Sequence, residues 1–182
     1  MKRVIAALAG ISSLTGAASA GPVEEVRAGI LAQGCCGFGS SKEDGVALNG
    51  EVLFVSPRFL SVLGKPRPVI GAALAPADNA TDQIYAGLEW RADISRWFVA
   101  GGFGGVLHNG ETDAYDPIAD AARVDDTTFL GCSPMFRISG DVGYRMTETL
   151  SVSFHWNHIS NADLCDDNEG LDQMGFRLGV AL

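Results

Sequence analysis

Beyond its first twenty residues this 182-residue chain has no window approaching the roughly 18 consecutive apolar residues that a membrane-crossing helix needs. That absence excludes a helical membrane protein. Basic residues are also scarce: 13 Lys and Arg face 22 Asp and Glu, a formal charge of −9. A strongly acidic chain has no electrostatic footprint for nucleic acid. There are 3 histidines and 4 cysteines, and none stands at a zinc-ligand spacing. Runs of good helix formers are few. What remains abundant is glycine, 23 residues of it, among apolar residues dispersed at alternate positions.

The N-terminus carries an address. Met1-Lys2-Arg3 is a basic start, Val4 to Gly10 a short apolar core, and Ala18-Ser19-Ala20 a small-x-small site before Gly21. This order reads as a secretory signal peptide, 1–20, cleaved after Ala20. Loss of Lys2 and Arg3 takes the charge from −9 to −11. The remaining residues, 21–182, suffice for one domain. In an exported chain the four cysteines favour disulfides over metal binding, and Cys132 with Cys165 is one pairing among several that the sequence leaves open.

Alternation between apolar and polar residues marks eight strands. They are expected at 24–33, 45–55, 68–75, 81–91, 96–108, 135–145, 151–160 and 172–182. A turn at 57–68 has room for a short helical segment. Ala92 to Ser95 and Met146 to Thr149 read as tight turns, and Asn109 to Gly131 as a long acidic loop with partial helix around Ile118 to Ala122. An even number of strands with free terminal partners predicts an all-β fold, an eight-stranded antiparallel up-and-down transmembrane β-barrel. Inward Arg27, Glu51, Glu89, Arg137, Asp141 and Arg177 are expected to neutralise one another in its interior. Trp90 and Trp156 are candidates for an aromatic girdle. The acidic clusters, Asp113 to Asp126 and Asp163 to Glu169, read first as solvated loops; their spacing matches no calcium-binding loop.

The last two strands break the pattern in one respect. Val152, Phe154, Trp156, His158 and Ser160 share one face of the seventh, and Asp172, Met174, Phe176, Leu178, Val180 and Leu182 one face of the eighth. Three polar residues therefore continue apolar, outward rows. If the intervening loop is centred near Cys165, paired residue numbers sum to about 330 and His158 lies opposite Asp172. Ser160 is one same-face step beyond, about 7 Å along the strand. A hydroxyl, an imidazole and a carboxylate in that order are what activation of a serine nucleophile requires. One residue of slip would remove Asp172 from that face. His155, by its parity, faces the interior, and His108 sits at a loop edge.

The run His158-Ile-Ser-Asn-Ala-Asp-Leu164, followed by Asn168-Glu-Gly-Leu-Asp172, resembles the lipid A 3-O-deacylases, small outer-membrane β-barrel esterases of Gram-negative bacteria. The specific part covers about thirty C-terminal residues, and the rest agrees in layout. The resemblance implies an ester hydrolase acting on lipid A or lipopolysaccharide in the outer membrane, with no cofactor and no metal. Ser160 would be the nucleophile, His158 the general base and Asp172 the orienting acid, a position the family usually fills with glutamate. The site would sit at the outer-leaflet rim. Asn161, Asn168 and backbone amides of the 161–170 loop are the candidates for binding the oxyanion. Two other readings of the same pattern are a non-catalytic small barrel with an adhesive or structural role and a soluble periplasmic barrel stabilised by disulfides.

Overall fold

The computed structural model describes residues 22–35, 37–77 and 80–182; the expected signal peptide and Cys36 lie outside the described residues. Eight strands form one closed antiparallel barrel in sequence order. They are β1 (Val23–Gln33), β2 (Val46–Phe54), β3 (Arg67–Leu74), β4 (Gln83–Ile94), β5 (Trp97–His108), β6 (Met135–Arg145), β7 (Leu150–Ser160) and β8 (Leu171–Ala181). Closure is made by β1 against β8, with Val26 opposite Val180 and Ile30 opposite Phe176. A closed sheet leaves no unpaired edge, which is what lets a β-structure reside in lipid.

The two faces of each strand are chemically opposite. Outward positions such as Ile30, Leu48, Ile70, Ile84, Phe103, Phe154 and Phe176 are apolar and exposed. Inward positions carry the charge. Arg27 meets Glu25 (2.9 Å), Glu51 (3.3 Å) and Glu89 (2.5 Å), and Arg177 meets Glu51 (3.0 Å) and Asp141 (2.7 Å). Arg67 joins the same cluster through Glu25 and Glu89. Arg137 is held differently from the expected ion pair: its guanidinium stacks 3.9 Å above the Tyr85 ring and donates to His155 Nε2 (3.1 Å). His155 in turn donates from Nδ1 to Asp141 (3.1 Å), as its inward parity anticipates. Side chains thus fill the lumen, and this inside-out distribution is the one a bilayer selects.

Removing one partner from such a buried lattice leaves the others uncompensated. Arg177→Met is expected to lower the unfolding free energy by about 3–5 kcal/mol, because Asp141 would lose its guanidinium partner and Glu51 would keep only Arg27. The check is the urea midpoint for loss of tryptophan fluorescence in detergent micelles. An unchanged midpoint would mean that the lattice does not hold the barrel together.

Of three connections, two differ from sequence expectation and one meets it. The β4–β5 turn is tighter: Ala92, Asp93 and Ile94 pair with Val99, Phe98 and Trp97, which leaves Ser95 and Arg96 as a two-residue loop with Ser95 at φ 60°. Ile94 extends the outward apolar row, and an Arg91–Asp93 ion pair (3.0 Å) absorbs the polar residues. The 57–66 turn does carry a short 3-10 helix, Arg58–Leu63, whose Leu63 carbonyl accepts from Trp90 Nε1 (2.7 Å). Around 118–122 the chain makes successive turns and no helix. Asp116 there takes the Ile118 and Ala119 N–H groups (2.7 and 3.0 Å) as an N-cap does, and Asp120 takes that of Asp116 (2.8 Å), but beyond one turn the Arg123 and Asp126 N–H groups close onto carbonyls three residues back, so the chain continues as turns. The Ala119 and Ile118 bonds hold the Asp116 carboxyl below its ordinary range.

The connections at 55–66, 95–96 and 146–149 lie at one end of the barrel, and those at 34–45, 75–82, 109–134 and 161–170, which include the longest, at the other. At this second rim the loops are bound to one another. A Cys132–Cys165 disulfide joins the third to the fourth. Lys42 of the first pairs with Glu169 of the fourth, and Glu169 also accepts from the Phe129 backbone N–H (2.9 Å).

Candidate active site

The β7–β8 register is the one on which the sequence argument depended: His158 pairs with Asp172 and Ile159 with Leu171. Val152, Trp156, His158 and Ser160 stand on the outward face of β7, partly exposed, while Ser153, His155, Asn157 and Ile159 are buried inward. His158 and Asp172 meet directly. Nδ1–H of His158 donates to Asp172 Oδ1 at 2.9 Å. That bond fixes which imidazole nitrogen carries the proton and leaves Nε2 for another partner.

Ser160 follows on the same face, one step nearer the long-loop rim, and pairs with Phe136 of β6. Among the described residues no hydrogen bond joins its hydroxyl to His158. Such contacts are often long without substrate and close in the reacting complex.

Glycine makes room for the imidazole. Gly170 is at φ 64°, and a Cβ there would lie 2.9 Å from His158 Cε1 and 3.1 Å from the Ile159 carbonyl. Only a residue without a side chain both accepts that backbone angle and lets the ring lie against the loop. Trp156 stacks on the other flank of His158, ring centroids 6.3 Å apart and 12° between planes. It therefore belongs to the surroundings of His158.

Asp172 has the outward parity expected of it, yet it is only 1% exposed. What covers it was not legible in the sequence. The segment Gly37–Ser40, from the loop after β1, lies as a strap across the start of β8. Ser40 bridges Leu171 in parallel, and its N–H donates to the Gly170 carbonyl (3.1 Å). On the other side Gly34 N–H donates to the Asp172 carbonyl (3.0 Å). Gly39 N–H reaches Asp172 Oδ2 at 2.6 Å. Phe38, 85% exposed, turns outward with its ring edge-on to Trp156 (6.2 Å) and His158 (6.4 Å).

The two asparagines have structural partners. Asn161 is buried, and its Nδ2 donates to the carbonyls of Leu130 (2.8 Å) and Asp167 (2.5 Å), fastening the fourth loop to the third. Asn168 accepts the Asn161 backbone N–H at Oδ1 (2.9 Å) and donates to Asp163 (2.8 Å). His108, away from this cluster, approaches the Cys132 carbonyl through Nε2 (2.8 Å). Among the described residues no group of three or more His, Cys, Asp or Glu is arranged to hold a metal ion.

Below the His–Asp pair, on the same outer surface, Phe38, Val142, Phe154, Trp156 and Met174 line an open, shallow apolar hollow of about 490 Å³. Its floor is Gly140, which pairs with Trp156. A Cβ at Gly140 would meet nothing nearer than the Ala100 carbonyl at 3.9 Å, so the hollow exists because that side chain is missing.

Comparison with known proteins gives this arrangement a family. The chain is similar to the crystal structure of the outer membrane enzyme PagL, with TM-score 0.59, 17% identity and coverage of 87% of this chain and 99% of that one. At that identity the likeness concerns the fold. No curated protein matches. The family model described as lipid A 3-O-deacylase (PagL) matches residues 72–181, from β3 to the end of β8, and leaves the Gly37–Ser40 strap outside. With more than half its length matched, including both strands that carry His158, Ser160 and Asp172, the chain belongs to the lipid A 3-O-deacylase family of outer-membrane β-barrels.

Proposed function

We propose that the protein hydrolyses the 3-O-linked ester of lipid A by a serine mechanism, releasing a 3-hydroxy fatty acid. The observation that carries this reading is the His158–Asp172 hydrogen bond on the outer surface of the barrel, with Ser160 one same-face step towards the rim. A buried carboxylate bound to Nδ1 orients the ring and stabilises it when protonated. Nε2 then takes the Ser160 proton as Oγ attacks the ester carbonyl. Collapse of the tetrahedral intermediate expels the lipid A hydroxyl, protonated by the same imidazole. Water attacks the acyl-enzyme by the reverse sequence of proton transfers.

The placement suits the substrate. The long-loop rim is taken as the extracellular one, which brings Ser160 to the outer leaflet, where charged groups cost about 0–1 kcal/mol near the interface against about 2–4 at the midplane. The oxyanion requires donors. Asn168 retains an amide hydrogen beyond its bond to Asp163 and stands beside the Asn161 backbone, next to Ser160 in the chain. Asn161 spends both amide hydrogens holding the loop.

The hollow over Gly140 receives the acyl chain. From Ser160 to Trp156 is four residues, about 13 Å along the strand towards the membrane interior. A chain esterified at the rim and running inward would lie there. Gly140→Val is accommodated by the barrel but raises the floor of the hollow. It is expected to leave folding unchanged and to reduce cleavage of long-chain esters about 10-fold relative to short ones. A series of esters of increasing chain length, assayed in mixed micelles, checks this; an unaltered profile would remove the hollow from the substrate site.

Mass spectrometry of lipid A from cells making the protein tests the activity itself. Loss of one 3-hydroxyacyl mass is expected. Intact lipid A with the barrel inserted in the outer membrane would reject the reaction and favour a non-catalytic barrel.

A further inference from the structure

Resting on the reading of Ser160, His158 and Asp172 as an acyl-transfer triad, we infer that Gly39 is a positioning residue: its backbone N–H, delivered by the Gly37–Ser40 strap, sets the orientation of the acid. An aspartate side chain is short, and rotation about its last torsion decides which oxygen faces a partner. Here each oxygen has its own donor. Oδ1 takes His158 Nδ1–H, and Oδ2 takes Gly39 N–H at 2.6 Å, a charge-assisted bond to a residue 133 positions away in sequence. With Oδ2 held, Oδ1 is directed at the imidazole.

The strap is shaped for this contact. A Cβ at Gly37 would lie 2.3 Å from Asp172 Oδ2, and one at Gly39 would lie 2.8 Å from Leu171 Cα. Two glycines flanking Phe38 let the backbone lie flat on the carboxylate, with the one side chain between them directed outward. The Ser40 contacts with Leu171 and Gly170 on one side and the Gly34 contact on the other bracket Asp172. Thr128 of the third loop braces the strap, its hydroxyl donating to Ser40 Oγ (3.2 Å). The strap also keeps water from the carboxylate, and a drier site strengthens its bond to His158. A loop that merely packed against the barrel would need neither glycine at these positions nor a donor aimed at the acid.

The test is Gly37→Ala in the full-length protein, assayed on lipid A in mixed micelles, with Ser41→Ala on the solvent side of the same loop as control. The methyl group must lift the strap from Asp172. We expect kcat to fall about 100-fold, the scale of a misplacement of about 1 Å, with KM within about twofold of wild type. The downfield proton resonance of the His158–Asp172 hydrogen bond should shift or broaden with it. Ser41→Ala should change neither. Wild-type kcat and an unmoved resonance in Gly37→Ala would overturn the proposal, as would a change confined to KM, which would make the strap a substrate contact instead. Should Gly37→Ala not fold, the wild-type protein decides. The Gly39 amide proton is expected downfield of other glycine amides and displaced in Asp172→Asn; an ordinary, unmoved shift overturns the assignment. Failure of the triad itself reads out separately, as turnover that survives loss of the Ser160 hydroxyl.

Discussion

Ser160→Ala is expected to leave the barrel folded and inserted while release of 3-hydroxy fatty acid from lipid A falls by on the order of 10³-fold or more. The size follows from what the hydroxyl does. Without Oγ there is no acyl-enzyme, and the barrier returns towards that of direct water attack. Folding is spared because Ser160 lies at the end of β7, outward and partly exposed, with no side-chain hydrogen bond among the described residues. Paired spectra of lipid A from cells making wild-type and variant protein provide the measurement. Turnover undiminished in the variant would sink the serine mechanism while leaving the family membership untouched. His158→Ala should match it, since residues that act as a unit lose nearly everything with either member.

The second large effect belongs to the acid. Asp172→Asn preserves shape and loses charge. An amide can present its carbonyl or its NH₂ to His158, so the proton on Nδ1 is no longer enforced, and kcat is expected to fall about 10⁴-fold. Asp172→Glu is more informative, because glutamate is the acid that the resemblance leads one to expect at this position. The Asp172 carboxyl already touches both His158 and Gly39, and it has Gly37 pressed against it. One further methylene has nowhere to go without raising the strap or withdrawing from the ring. Asp172→Glu is therefore expected to lose about 100-fold in kcat in this protein. Wild-type activity in that variant would show that the strap yields, and that the shorter acid is incidental.

Much of this was readable from the sequence, and for a definite reason. In a closed barrel every strand obeys the same two-residue period, so alternation alone locates β6 at Met135–Arg145 and separates His155 from His158. The β7–β8 register was legible too, because a single loop between two alternating runs admits few pairings that keep both apolar rows outward. The strap was not legible. Gly37, Phe38 and Gly39 have no period, and the partner that gives them meaning lies 133 residues downstream. Local spacing carries no trace of such a contact. The turns at 117–126 escaped for a different reason: Asp116 caps a first turn as it would cap a helix, but the bonds that follow, Arg123 N–H to Asp120 and Asp126 N–H to Arg123, run three residues back and form separate turns. Gly140 could be seen as a glycine, but not as a missing side chain on an otherwise bulky surface.

The packed lumen has one more consequence. Because ionic and aromatic side chains occupy the interior, the inner and outer surfaces of the wall do not communicate through it, and each strand in effect belongs to two proteins at once. Along β7, Ser153, His155 and Asn157 are part of a rigid internal plug, while Trp156, His158 and Ser160 are part of a surface facing lipid. His155 and His158 stand three positions apart and, among the described residues, share no hydrogen-bond partner. Damage should therefore sort by parity: changes at inward positions of β7 weaken the barrel, and changes at its upper outward positions spare the barrel and disable the surface.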